Sequence, residues 1–146
     1  MIAIALFVTS VSGCSIYSGN SNQKVREWVM RSAFIADINT VLSDITRIHR
    51  ATQVGTPKAL RTICSGLADD AGTVYETLPA PSTKLTTAIN VPVQAMYAAA
   101  NSCSQASSVH SARVEQVLSQ LDSGESELKR VQSLLATAGV HWRAGL

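Results

Sequence analysis

Apolar residues recur at threes and fours almost without interruption from Asn22 to Ala138, the period of a helix that buries one face. From Asn22 the positions Val25, Trp28, Val29, Ile35, Ile38, Val41, Leu42, Ile45 and Ile48 keep this spacing, and no Pro or Gly intervenes before Gly55. The pattern predicts one long first helix of about thirty residues. Thr56-Pro57 reads as the start of a second, a capping hydroxyl followed by a proline whose missing N–H costs nothing there. Its stripe is Leu60, Cys64, Leu67, Ala71, Val74 and Leu78, and Pro79-Ala80-Pro81 ends it. Ser82 can cap a third helix, on which Leu85, Ile89, Pro92, Met96, Ala99 and Cys103 share one stripe and Pro92 is expected to kink or briefly break the helix near Val91. The polar run Asn101 to Ser108 holds the next turn. A fourth helix carries Val114, Val117, Leu121, Gly124, Leu128, Val131, Leu135 and Ala138 at heptad spacing and stops at Gly139. In a chain of 146 residues this is one domain. The expected fold is all-α, an antiparallel up-down four-helix bundle over residues 23–139 followed by a C-terminal tail, residues 140–146.

Ahead of the helices, Ile2 to Val11 is an apolar run broken only by Thr9 and Ser10. It is about half the ~20 residues that a spanning helix needs and has the length of a signal-peptide core. It leads into Val11-Ser12-Gly13-Cys14, which resembles the bacterial lipobox: an aliphatic residue, two small residues that let the chain enter the peptidase extended, and a cysteine whose thiol accepts a diacylglyceryl group. The resemblance implies that residues 1–13 are a lipoprotein-type signal peptide and that Cys14 becomes a lipidated N-terminus. It also implies export, with the protein held by lipid at the extracytoplasmic face of a bacterial cell membrane. Residues 14–22, rich in Ser, Gly and Asn, then serve as a flexible tether. The segment departs from the pattern in one respect, since a signal n-region carries Lys or Arg and the first basic residue here is Lys24.

With Cys14 set aside, Cys64 and Cys103 remain, an even number in a chain expected to leave the reducing cytoplasm. Both lie on the apolar stripes of neighbouring helices, and a disulfide between them would close a loop of about 40 residues. The order of features (lipobox, long first helix, Cys-bearing helix, Pro-containing turn, second Cys-bearing helix, heptad helix) is similar to a loose group of small exported helical lipoproteins of actinobacteria, mostly of unknown function. That resemblance implies architecture and compartment, and no activity.

No constellation for catalysis, cofactor or metal is expected. His49, His110 and His141 are scattered, with no HExxH, no CxxC and no cysteine at zinc spacing. GxSxG, GxxxxGK[ST] and GxGxxG are all missing. Asp69 and Asp70, adjacent on a helix, point about 100° apart and are expected on an exposed face. His49 fits best as a cation near a helix C-terminus. The rings of Trp28 and Tyr75 read as core filler. Charged residues are only 15% of the chain and the net charge is +2, a balance that argues against a nucleic-acid partner. Hydroxyls carry much of the polar surface instead, 18 Ser and 12 Thr.

One surface stands out. No acid occurs between Ile45 and Ala68, where Arg47, Arg50, Lys58, Arg61 and His49 lie, and none between Thr77 and Val114, where His110 and Arg113 open the last helix. An up-down topology gathers these segments at one end, so that end should be basic. Lys58 and Arg61 also oppose the dipole of the helix they begin. The function expected is therefore a non-catalytic, lipid-anchored binding module of the cell envelope. Arg47, Arg50, Lys58, Arg61 and Arg113 would face an envelope protein or anionic polymer. The alternative is a carrier of a small apolar ligand held where Gly66, Gly72, Ala99, Ala100 and Gly124 thin the core. A cavity of several hundred cubic ångströms would favour the carrier, and a filled core the module.

Overall fold

A computed structural model describes residues 20–143; the lipobox and Cys14 lie outside these. The described chain is all-α with five helices: α1 (Ser21–Arg31), α2 (Phe34–Val54), α3 (Pro57–Glu76), α4 (Thr83–Cys103) and α5 (Ala112–Thr137). The expectation of four helices is thus corrected at the N-terminal end, where the single long helix is two. The break falls at Ser32-Ala33, and Ala33 takes a left-handed conformation with φ 55°. That conformation costs a non-glycine residue roughly 1–2 kcal/mol, and the packing it permits offsets the cost. The turn at Ala33 lets Trp28 lie against Phe34, ring centroids 4.9 Å apart, with the Trp28 indole Nε1 donating to the carbonyl of Thr77 at 2.9 Å. Arg26 donates to the carbonyl of Ala138 at 3.3 Å. Since Thr77 and Ala138 are the C-caps of α3 and α5, α1 lies across one end of the body and closes it.

The four long helices run up and down. Antiparallel order shows in the facing pairs: Asp44 opposite Gly66, Cys64 opposite Cys103, Pro92 and Met96 opposite Gly124, and His49 opposite Asp122. Side-chain oxygens begin α1, α3, α4 and α5, where Asn20, Thr56, Ser82 and Ser111 accept from the backbone N–H three residues on. The Thr56 and Ser82 caps are those the sequence predicts. α4 is continuous through Pro92. α5 ends in a Schellman turn in which Gly139, at φ 79°, donates to Ala136 and Val140 donates to Leu135. Beyond it Trp142 returns to the body, its ring 6.3 Å from Phe34 and its Nε1 2.9 Å from Asn39 Oδ1.

The core runs the length of the body, and Ile38, Ile45, Ile48, Leu60, Leu67, Ile89, Met96, Leu121, Leu128 and Leu135 are among its fully buried members. Cys64 and Cys103 form a disulfide, Cα to Cα 5.7 Å, near the end opposite α1. None of the described helices is long and apolar enough to cross a membrane.

Candidate functional site

The end opposite α1 is built from the C-terminus of α2, the N-terminus of α3, the C-terminus of α4, residues 104–111 and the N-terminus of α5. The five cations expected there do not form one cluster. Arg47 and Arg50 line a shallow groove of about 270 Å³ between α2 and α3 with Ala51, Val54 and Ile63. Val54, 82% exposed, gives this groove an apolar lip. Arg47 also holds Asp44 Oδ1 at 2.6 Å. Arg61 lies on the other side of α3 and donates to the carbonyl of Ala106 at 3.0 Å, tying α3 to the α4–α5 connection. This bond accounts for an arginine in a first helical turn, where the dipole alone disfavours it. Lys58 and Arg113 are exposed near the starts of α3 and α5. Among the described residues Arg50, Lys58 and Arg113 have no ion-pair partner. His49 is drawn away from the end, its Nε2 2.8 Å from Asp122 Oδ1 across the α2–α5 seam. Glu115, in the first turn of α5, is the acid nearest in sequence to Arg113.

Sequence reasoning overlooked Asp44. It is buried, 3% exposed, on the face of α2 that meets α3. Its Oδ2 lies 3.6 Å from where a side chain at position 66 would begin, so Gly66 makes room for the carboxylate. Asp70, one turn further along α3, shares a hydrogen bond with it. Asp69 and Asp70 diverge as expected, but the partner of Asp70 comes from another helix. The spacing of Ile38, Val41, Leu42, Ile45 and Ile48 puts position 44 about 40° beyond the edge of their arc, between Ile48 and the buried Ala51, so the signal lay only in reading Ala51 as part of the buried face.

Burial raises the Asp70 carboxyl from 3.8 to about 6, assisted by the hydrogen bond to Asp44 and by the charges of Asp44, Asp69 and Asp37. Arg47 is the cation bound to this group of acids. Between the two values the folded chain holds a proton that the unfolded chain has released. The stabilisation is therefore complete below the unfolded value and falls as pH rises through about 6. Asp70→Asn keeps a neutral partner for Asp44 at every pH. It should raise stability at pH 7.5 by about 1 kcal/mol, allowing for the solvent screening of a partly exposed group, and change it little at pH 4. Thermal melts of both proteins across pH 4–8 check this; parallel curves would show that the seam does not titrate.

Of the places expected to thin the core, the one around Gly124 is filled. Met96 closes over Gly124, its Cε and Cγ 2.9 and 3.1 Å from where a side chain there would start, and Ala99 and Ala100 are buried. Gly72 has nothing within 4 Å of its missing side chain. No group of three or more His, Cys, Asp or Glu among the described residues is arranged to hold a metal ion. Comparison of the chain with protein-family models, curated proteins and solved structures finds no match.

Proposed function

We propose that this is a lipid-anchored interaction module of the bacterial cell envelope. Cys14 carries the anchor on the extracytoplasmic face of the membrane, and the end of the helical body opposite α1 binds an anionic envelope component. The observation that carries this is the pairing of charges at that end. Arg50, Lys58 and Arg113 are exposed without an ion-pair partner among the described residues, while Arg47 and Arg61 also serve structural bonds. The filled interior around Gly124 favours a surface partner over an apolar ligand carried in the core. A tether joining α1 would place the membrane at the closed end. The basic end then stands off by about the length of α2, ~30 Å at 1.5 Å per residue, rather than the longer reach of an unbroken first helix. Contacts there are consequently made with polymer or protein rather than with the anchoring bilayer.

Labelling in cells tests the anchor, and retention of the purified protein tests the basic end. The wild type should incorporate a fatty-acid analogue and remain with the membrane and wall, and Cys14→Ser should lose the label. Arg50→Ser/Lys58→Ser/Arg113→Ser should keep the label but lose retention of the purified body on anionic cell-wall polymer, with melting nearly unchanged. Wild-type retention should itself weaken steeply with salt, because exposed charges act over a Debye length of ~8 Å at physiological ionic strength. Retention that survives both the triple substitution and high salt would overturn the basic-end interaction; release of wild type and Cys14→Ser alike would overturn the anchor.

A further inference from the structure

α2 and α5 close the ring of helices less tightly than the other neighbouring pairs. They are bridged toward one end by His49 and Asp122 and toward the other by the Trp142 indole on Asn39. Between the bridges lies a groove of about 390 Å³, in the size range of small-molecule sites. Its floor and one end are apolar, formed by Leu42, Leu128 and the ring of Trp142. The tail that carries Trp142 is fixed by Gln132, which donates to the Trp142 carbonyl at 3.4 Å, so the end wall is held in place from α5 as well as α2. The rim is charged, with Lys129 and Arg143 against Glu125. Glu125 and Lys129 are one helical turn apart, yet no ion pair joins them, and Arg143 has no carboxylate partner among the described residues. Two available cations thus stand at the mouth of an apolar trough.

We propose that the α2–α5 groove binds a small anionic amphiphile, its apolar body on Leu42, Leu128 and Trp142 and its carboxylate or sulfonate head between Lys129 and Arg143. The volume of the trough, about 390 Å³, suits a body of two or three rings or a short alkyl chain. The charge balance of the rim selects the sign of the head group. Burial of the body supplies affinity in proportion to the apolar area removed from water, and the head adds discrimination against neutral analogues of the same shape. This site is separate from the basic end, and either can stand without the other.

The probes are 8-anilinonaphthalene-1-sulfonate and N-phenyl-1-naphthylamine, which share one ring body and differ by the sulfonate. The folded protein should bind one sulfonate probe per chain, more tightly than the neutral one. Lys129→Glu/Arg143→Glu, both exposed positions, should weaken the sulfonate probe about tenfold while leaving the neutral probe within about twofold. Arg50→Ser/Lys58→Ser/Arg113→Ser should change neither. Absence of binding, equal affinity for both probes, an unchanged sulfonate affinity in the Lys129/Arg143 variant, or a loss in the basic-end variant would each overturn the proposal.

Discussion

Cys64→Ala/Cys103→Ala is expected to destabilise the protein by about 4 kcal/mol, the chain-entropy value for a loop of this length. The bond joins residues 39 apart, so its main effect is to shorten the unfolded chain's reach rather than to strengthen a native contact. Both side chains are fully buried on facing stripes of α3 and α4, and alanine leaves only two sulfur-sized gaps in their place. A loss of this size in a domain of this length should lower the melting temperature by roughly 15 °C. Denaturant unfolding of the wild type with and without reductant should give the same difference as the double variant. A change below about 1 kcal/mol would mean that the unfolded chain is already restricted there, or that the cysteines are not joined in the protein. The bond also lies beside residues 104–111 and the Arg61–Ala106 contact, so its loss should loosen the basic end before the end closed by α1.

Trp28→Ala should cost about 3–5 kcal/mol, the range for removing a large buried ring. Trp28 is 3% exposed, packs on Phe34, and supplies the donor for the Thr77 carbonyl at the end of α3. The effect should also be local in a telling way. α1 has 11 residues, too short to be a stable helix by itself in water, and Val25 and Trp28 are its buried residues. Without the indole, amide exchange over residues 21–31 should accelerate far more than exchange in α3 or α4. Trp28→Phe keeps most of the apolar contact and removes the hydrogen bond, and should cost about 1–2 kcal/mol. Uniform acceleration along the chain in Trp28→Ala would show that α1 is part of the cooperative body and does not act as a closing element.

The difference between one long helix and two was written in the sequence, although no Gly or Pro marks it. In an unbroken helix Phe34 would point about 120° away from Trp28, so the two largest apolar side chains of the segment could not share a face. The stripe that continues into α2 begins at Phe34 and runs through Ile38, Val41, Ile45 and Ile48 at spacings of four and three, and Ile35 is only partly buried. Phase was the missing test, and so was length. α3 and α4 have 20 and 21 residues, so a first helix continuous from Ser21 to Val54 would overhang them by more than ten. The caps at Thr56 and Ser82 and the Gly139 stop were legible because each depends on local chemistry. The Asp44–Asp70 contact was not, since it depends on the rotation of α2 against α3. The same holds for the basic end: sequence gathers the cations by topology, but only side-chain geometry separates Arg50, Lys58 and Arg113 from Arg47 and Arg61.

The proposed function requires that an anionic polymer bind at the end of the body farthest from α1. Amide chemical shifts followed during titration with inorganic polyphosphate test this most directly, because they report position and affinity together. Perturbations are expected at residues 50–61 and 104–115, shrinking as salt is raised and largely vanishing in Arg50→Ser/Lys58→Ser/Arg113→Ser. Perturbations confined to α1, to residues 77–82, or to the α2–α5 groove, or a response insensitive to salt, would contradict it.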